Sequence, residues 1–400
     1  MEIFDPEEFV SNQIEKVKSL IGEGKALIAV SGGVDSTTSA VLTHEAIGDN
    51  LICVILDDAF MREGEPERVA DTLSKSPLNL PIEVVDVRER FLSALSGIRD
   101  AEEKRKAFRE TFYRTLADIA CEKGCEFLVQ GTILADILET KGGIKTQHNI
   151  LEQIGIRPDE KYGFKVVEPL ASLLKWQVRE VARFFGIPKE ISERQPFPGP
   201  GLAVRIVGEI TEEKLNTVKR ATSIVESEIF PFEPSQYFPA VIDNVEEPNL
   251  EIYRKIAEIS SRMLGLPENS ISVKLFRDRA TGIKDEKRVY GRILAIKILE
   301  SDGSPILKEV EELIPLQAEI IMKIPSVSRV LYMIGCYDVE KPYVISIRSV
   351  ETKDFLTAKV SNLPKILLSR VAEKIVEACK TVSEVYYDVT PKPPATIEME

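Results

Sequence analysis

Short apolar runs alternate with longer amphipathic segments over residues 26–187. The runs have the length of strands and lie at 26–30, 51–56, 82–87 and 127–129. Segments with helical spacing, such as 65–74 and 101–123, separate them. The alternation predicts repeated β-α-β units, and therefore an α/β fold with a parallel sheet and helices on both faces. Ligands of such sheets bind at the carboxyl ends of the strands.

Two stretches interrupt this pattern. Residues 136–165 combine glycines with charged side chains and show little periodicity, so we expect a long mobile loop there. The run Gln-Pro-Phe-Pro-Gly-Pro-Gly at 195–201 excludes a regular element. It predicts a boundary between one domain over residues 1–205 and a C-terminal region over residues 206–400.

The C-terminal half contains a faint internal repeat. Two pairs of segments resemble each other, 295–301 with 346–352 and 326–332 with 381–387. Each copy has the pattern strand, helix, strand, which predicts a duplicated α+β region with modules at about 206–335 and 336–400. Two copies are too few for a solenoid, so we expect either a paired sheet surface or a dimerisation surface. We also expect a homodimer.

Composition narrows the possible classes of protein. The chain has 400 residues, 44% hydrophobic and 29% charged, as in a globular protein with two or three cores. A formal charge of −13 disfavours nucleic acid as a partner. No secretory pattern and no apolar run of the ~20 residues that span a bilayer are visible, so we expect a cytoplasmic protein without membrane contact. Five scattered cysteines and two histidines predict neither a disulfide framework nor a multi-histidine metal site.

The segment Ser-Gly-Gly-Val-Asp-Ser at 31–36 carries the clearest chemistry. It follows an apolar run and precedes helical spacing, so it predicts a strand, a tight turn and a helix. The glycines let the backbone approach an anion, and the hydroxyls of Ser31 and Ser36 and the N–H groups of the new helix can bind phosphate. The Asp35 carboxylate would repel phosphate unless a divalent cation stood between them. We therefore expect Mg²⁺ at Asp35.

The S-G-G-x-D-S form resembles the pyrophosphatase loop of the N-type ATP pyrophosphatases, and it differs from the lysine-containing phosphate loop G-x-x-x-x-G-K-[ST]. Further segments make the chain similar to the ATP pyrophosphatase part of the GMP synthases. They are 57–62, 130–132 with Asp136 and Glu139, Lys145 with His148 and Asn149, 197–202, and Lys-Pro-Pro-Ala-Thr-Ile-Glu at 392–398. The resemblance runs from about residue 10 to the C-terminus.

The resemblance implies an adenine nucleotide α-hydrolase-like fold and a two-step ligase reaction. The C2 oxygen of xanthosine monophosphate attacks the α-phosphorus of ATP, and ammonia then displaces AMP to leave GMP. ATP is a co-substrate and Mg²⁺ the cofactor. The sequence shows no amidotransferase region with its nucleophilic cysteine, so we expect a separate glutamine amidotransferase subunit to supply the ammonia.

Roles for individual residues follow from the matched motifs. ATP binding is implied for Ser31, Gly32, Gly33, Val34, Asp35, Ser36, Thr37, Gly131 and Thr132. Catalytic roles are implied for Asp35, Asp136, Glu139, Lys145 and His148. Substrate binding is implied for Arg62, Asn149, Gln236, Lys392, Ile397 and Glu398. The position of the C-terminal motif also suggests that it reaches the site of a partner subunit.

The sequence departs from the usual GMP synthase pattern around the acceptor. Gln147 and Gln195 stand where histidines are usual, and Met399 replaces a tryptophan. Trp176 and Gln177 replace an acidic pair, and a pair of glycines is missing after Asn149. Glutamine can hydrogen-bond but cannot take a proton, so proton transfer at 147 or 195 is lost. Two other interpretations therefore stay open: a paralogous pyrophosphatase that adenylates another nucleotide or a tRNA, and a nucleotide sensor without activity.

Overall fold

The computed structural model describes residues 4–141, 157–285, 287–301, 304–336, 341–353 and 356–400. The chain divides into two compact units. The first unit comprises Met1–Leu95 and Arg105–Pro200, and the second comprises Ser96–Lys104 and Gly201–Glu400. The border after Pro200 lies inside the proline-glycine run. Nothing in the sequence pattern indicated that the short segment 96–104 belongs with the second unit.

Five parallel strands form the sheet of the first unit. In chain order they are β1 (Ala26–Ala29), β2 (Leu51–Asp57), β3 (Ile82–Asp86), β4 (Phe127–Val129) and β5 (Lys165–Val167). Their order in the sheet is β3-β2-β1-β4-β5. Helices in this part of the chain are α1 (Pro6–Ile21), α2 (Val34–Ile47), α3 (Glu65–Leu73), α4 (Arg88–Leu95), α5 (Ala101–Lys123), α6 (Leu134–Lys141), α7 (Pro158–Tyr162), α8 (Lys175–Phe184) and α9 (Lys189–Ser192).

Hydrophobic side chains cover both faces of this sheet. Ile28 and Cys53 lie in one buried cluster, which includes residues of α1, α2 and α8. Their neighbours Leu27 and Val54 lie in a second cluster with residues of α5. Successive residues of a strand point to opposite faces, so strands that are apolar at consecutive positions need a layer of helices on each side. The predicted α/β fold with a parallel sheet is confirmed.

The prediction of a long loop over residues 136–165 is wrong at both ends of this range, where the structure has regular elements. Helix α6 extends to Lys141, helix α7 covers Pro158–Tyr162, and β5 begins at Lys165. The Asp136 side chain accepts a hydrogen bond from the backbone of Ile133 at 3.1 Å, which ties down the first turn of α6. Such a contact is local and hydrogen-bonded, so it leaves no trace in hydrophobic periodicity. Residues 142–156 lie outside the described part of the chain.

The second unit is built on a seven-stranded sheet within the described residues. Its strands are β6 (Gln236–Asp243), β7 (Ile271–Lys284), β8 (Lys287–Ile298), β9 (Val327–Cys336), β10 (Tyr343–Glu351), β11 (Lys359–Val360) and β12 (Val382–Asp388). The order is β11-β10-β12-β9-β8-β7, and β6 also pairs with β10. The helices are α10 (Glu212–Ile229), α11 (Leu250–Leu264), α12 (Val310–Lys323) and α13 (Lys365–Ala378).

Both copies of the sequence repeat are strand-helix-strand units. Strands β8 and β9 are parallel and connected through α12, and β10 and β12 are parallel and connected through α13. An antiparallel pairing of β12 with β9 joins the two copies. The segments assigned to two modules therefore contribute to one continuous sheet. Among the described residues, no helix is both long enough and apolar enough to cross a membrane.

Candidate active site

The loop between β1 and α2 has the geometry of an anion cradle. Gly32 adopts φ +73°, and a Cβ atom there would lie 2.8 Å from Cγ2 of Val69, so the position requires glycine. Gly33 is the N-cap of α2, and no side chain caps this end of the helix. The first N–H groups of α2, beginning at Val34, are thus left for a ligand.

Hydroxyl groups hold this loop in its curved form. The Ser31 backbone N–H donates to Oγ of Ser36 at 3.1 Å, and the two Oγ atoms lie 3.0 Å apart. The Ser36 hydroxyl also donates to the Gly33 carbonyl at 3.2 Å. Thr37 is fully buried, and its N–H donates to the same carbonyl at 3.1 Å. Thr37, one of the predicted ATP-binding residues, therefore lies within the first turn of α2 with its side chain buried.

Gly131 brings the end of β4 against this loop. A Cβ atom at Gly131 would lie 2.8 Å from both the Asp35 carbonyl carbon and the Ser36 nitrogen. The two main chains thus approach as closely as atomic radii allow. Next to it, the Thr132 hydroxyl donates to Glu168 at 2.6 Å. The structure therefore brings together the two predicted ATP-binding segments.

Asp35 has one paired and one unpaired carboxylate oxygen. Oδ2 accepts from Nζ of Lys175, the first residue of α8, at 2.6 Å. Oδ1 is buried and has no hydrogen-bond partner among the described residues. A buried oxygen without a partner beside an anion cradle fits a divalent cation. No group of three or more His, Cys, Asp or Glu side chains suited to a metal ion occurs in the described ranges, so Mg²⁺ there would rely on Asp35, phosphate oxygens and water.

Lys175 belongs to this candidate site, although none of the sequence motifs includes it. It lies 140 positions from Asp35 in sequence, so only the fold brings its ammonium group to the loop. The one available signal was its place immediately before Trp176, where the chain departs from the usual acidic pair.

Arg62 lies in a cluster of buried charges and one aromatic ring. Its Nη1 lies 3.3 Å from Oε1 of Glu65, and its backbone N–H donates to Oε2 at 2.9 Å. Arg194 pairs with the same carboxylate. The Arg62 guanidinium carbon lies 4.1 Å from the centre of the Phe197 ring. Two segments quoted for the family resemblance, 57–62 and 197–202, thus meet at Arg62.

The remaining predicted residues of the first unit are only partly described. Asp136 lies in the first turn of α6, as given above. Glu139 lies in α6, but its side chain is outside the described part. Lys145, His148 and Asn149 are outside the described residues altogether, so their predicted roles stay predictions.

The C-terminal motif is an ordered part of the second unit. Lys392 exchanges backbone hydrogen bonds with Ala358 at 2.8 and 2.9 Å. Further along, Ala395 forms a bridge with Gly282 of β7, and the Thr281 N–H donates to the Met399 carbonyl at 2.9 Å. A Cβ atom at Gly282 would lie 3.0 Å from the Pro394 oxygen, so glycine lets the motif lie against β7.

Side chains of this motif differ in their surroundings. The Glu398 carboxylate forms a two-bond ion pair with Arg205, each bond 3.1 Å long. Ile397 is partly exposed. Met399 is fully buried in a hydrophobic cluster, where a large apolar side chain is accommodated. Gln236, the first residue of β6, is 6% exposed and lies opposite Val350 of β10.

The chain is similar in sequence to two protein families and to individual proteins. Residues 3–203 match the family described as NAD synthase, and residues 335–399 match the family described as GMP synthase C terminal domain. The chain is 43% identical, over 99% of its length and 100% of the relative, to one subunit of the glutamine-hydrolyzing GMP synthase of Sulfurisphaera tokodaii. It is 44% identical to the protein of the same name from Saccharolobus solfataricus, over 100% of both chains. A structure of NMN synthetase from Francisella tularensis is 19% identical, with a TM-score of 0.39 over 50% of this chain and 78% of that one.

Proposed function

The chain belongs to the family of these glutamine-hydrolyzing GMP synthase subunits, and on that premise we propose that it catalyses the ATP-dependent amination of xanthosine monophosphate to GMP. In the first step, the C2 oxygen of the xanthine ring bonds to the α-phosphorus of ATP and pyrophosphate leaves. In the second, ammonia bonds to C2, AMP leaves with that oxygen, and the new nitrogen releases a proton to become the 2-amino group. The products are GMP, AMP and pyrophosphate.

The cradle at residues 31–36 is the observation that carries this proposal. It offers backbone N–H groups at the start of α2, and the close approach of Gly131 fixes its shape. The helix N-terminus and the serine hydroxyls would hold the pyrophosphate portion of ATP. These hydrogen-bond donors are in position before the reaction. They would stabilise the negative charge that develops on the departing pyrophosphate and so lower the activation barrier of the first step.

Asp35, through a bound cation, and Lys175 would both offset the negative charge of the pyrophosphate in this step. Mg²⁺ at Asp35 would neutralise part of the pyrophosphate charge. The Lys175 ammonium group pairs with Asp35 at 2.6 Å in this structure, and a bound cation would weaken that pair by sharing the carboxylate. Lys175 would then be available to a phosphate oxygen. Asp136 and Glu139 of α6, with Lys145 and His148, are proposed to act around the adenylation centre.

Arg62, Asn149, Gln236, Lys392, Ile397 and Glu398 are the proposed contacts for xanthosine monophosphate. The positive charge of Arg62 suits the 5′-phosphate, and the Glu398 carboxylate suits the N–H groups of the purine edge. Ammonia would come from a separate glutamine amidotransferase subunit.

We also propose a cytoplasmic homodimer in which the sheet of the second unit forms the contact between the two copies.

A turnover assay tests the proposed reaction. The purified chain, supplied with Mg²⁺, ATP, ammonium and xanthosine monophosphate, is expected to form AMP, pyrophosphate and GMP in equal amounts. Glutamine in place of ammonium should give no GMP until an amidotransferase subunit is added. Turnover only with a different acceptor would contradict the proposal, as would tight nucleotide binding without any turnover.

The Asp35→Asn variant tests the proposed cation site. Asparagine keeps the size of the side chain but loses its charge, so the Mg²⁺ concentration for half-maximal activity should rise about tenfold. Pyrophosphate binding, measured by calorimetry at fixed Mg²⁺, should weaken by a similar factor. Asp49→Asn, an exposed aspartate beyond the other end of α2, serves as the control and should change neither value. An unchanged Mg²⁺ requirement in Asp35→Asn would remove Asp35 as the cation ligand.

A further inference from the structure

A buried arginine holds the carboxylate of Glu398 at both oxygens. Nε of Arg205 lies 3.1 Å from Oε2, and Nη2 lies 3.1 Å from Oε1. The Arg205 side chain is 1% exposed, whereas that of Glu398 is 14% exposed. Two parallel N–H···O bonds fix the plane of a carboxylate as well as its charge. The Glu398 carboxylate is thus held in a fixed orientation while part of its side chain stays open to a ligand.

Arg205 is itself fixed by an aromatic ring. Its guanidinium carbon lies 4.1 Å from the centre of the Phe238 ring, and Phe238 is fully buried in β6. Arginine stacks on aromatic faces and presents its N–H groups as a rigid fork, and lysine can do neither. The orientation of the Arg205 fork, and therefore of Glu398, is set before any ligand binds.

A second buried arginine holds the main chain of Glu398. Nη2 of Arg329 donates to the Glu398 carbonyl at 2.5 Å and to the Thr396 hydroxyl at 2.8 Å. Its Nη1 donates to Asp388 at 2.9 Å. The backbone and the side chain of Glu398 are therefore anchored by different groups. This leaves the carboxylate little freedom to reorient.

We propose that Arg205 is a positioning residue that presents the Glu398 carboxylate to the N1–H group of the xanthine ring. The inference rests on the proposed function. A carboxylate accepts hydrogen bonds and cannot donate them, so it suits a purine edge with an N–H donor beside C2, and the xanthine ring carries such a donor at N1.

Steady-state kinetics of Arg205→Lys tests the proposal. Lysine retains the positive charge but loses the fork and the stacking, so Glu398 would keep a cationic partner and lose its orientation. The KM for xanthosine monophosphate should rise about 10- to 100-fold. The kcat and the KM for ATP should change by less than about threefold. Arg262→Lys, which alters an exposed pair with Glu319, is the matched control and should leave all three constants unchanged.

A double-mutant cycle separates positioning from a purely structural role. If Arg205 acts through Glu398, the variant carrying both Arg205→Lys and Glu398→Gln should have the same KM for xanthosine monophosphate as Glu398→Gln alone. If Arg205 only stabilises the unit, the two effects should multiply. Multiplicative effects, or an unchanged KM in Arg205→Lys, would overturn the proposal.

Two further results keep the outcome unambiguous. If Arg205→Lys does not fold, Phe238→Leu removes the stacked ring while retaining the ion pair, and it should raise the same KM about threefold to tenfold; an unchanged KM would again overturn the proposal. If the unmodified protein does not turn over xanthosine monophosphate, the proposed function fails. If the unmodified protein turns over xanthosine monophosphate and the variants have the same KM for it, the proposed function stands and the positioning role of Arg205 is wrong.

Discussion

Replacing Gly131 with alanine is expected to lower kcat/KM for ATP about a hundredfold, because the added methyl group would displace the loop at residues 31–36, which we propose binds phosphate. The Cβ atom would lie 2.8 Å from the Asp35 carbonyl carbon and 2.8 Å from the Ser36 nitrogen. Both are main-chain atoms, so no side-chain rotation can relieve the overlap. Displacement of the loop misplaces the N–H groups that would meet the pyrophosphate. Initial rates at varied ATP concentration give the measurement.

Gly199→Ala is the matched control for this variant. No heavy atom lies within 4 Å of the place where a Cβ atom at Gly199 would stand, and its φ is not in the left-handed region. The control should therefore keep its kcat/KM for ATP within about twofold of the unmodified protein. Equal kinetics for the two variants would show that the tight approach at Gly131 does not shape the ATP site.

Asp388→Asn should destabilise the second unit by about 3–5 kcal/mol. The Asp388 carboxylate accepts from Arg329 at 2.9 Å and from Arg348 at 2.8 Å, and all three side chains are fully buried. Asparagine has nearly the same volume, so no cavity forms. Two buried guanidinium groups would nevertheless lose their counter-charge. The free energy of unfolding, from urea titration followed by circular dichroism, gives the measurement.

The destabilisation by Asp388→Asn should also depend on pH. Burial alone would raise the pKa of Asp388, but Arg348 and Arg329 outweigh it and hold the pKa below its ordinary value. The ionised carboxylate thus adds stability above its unfolded-state pKa, and this stability is lost as the pH falls through the lower folded-state pKa. The difference between the two proteins should be full at pH 7 and shrink below about pH 4.

Glu247→Ala is the control for the buried ion cluster. Glu247 pairs with Arg279 at 2.5 Å, but its side chain is 41% exposed. An exposed pair adds at most about 1 kcal/mol, so this variant should unfold close to the unmodified protein. A loss for Asp388→Asn no larger than that of the control would contradict the stabilising role of the buried carboxylate.

Sequence pattern predicted the elements of the first unit where apolar runs were long or strongly periodic. The predicted strand at 127–129 and the helix at 101–123 coincide with β4 and α5. β5 is as short as β4, but it begins with the exposed Lys165 and so lacks the fully apolar run that indicated β4. The phosphate loop was recognisable because its chemistry lies in six consecutive residues. Local sequence therefore predicts both the loop and the strand-turn-helix that positions it.

Sequence pattern did not predict the contacts between segments that are distant in the chain. Lys175 reaches Asp35 over 140 positions, and Arg205 reaches Glu398 over 193. Motif recognition supplied Glu398 without its partner, because an ion pair needs both residues to be placed by the fold. The same limit applies to the second unit, where the two repeat copies lie side by side in one sheet through the pairing of β12 with β9.

The acceptor of the adenylyl group is the central claim, and oxygen-18 transfer tests it most directly. Xanthosine monophosphate labelled with oxygen-18 at C2 would be incubated with the purified chain, Mg²⁺, ATP and ammonium, and the AMP formed would be examined by mass spectrometry. If the C2 oxygen attacks the α-phosphorus, each AMP should carry one labelled oxygen and GMP none from C2. AMP without the label, or AMP formed at the same rate without xanthosine monophosphate, would contradict the account.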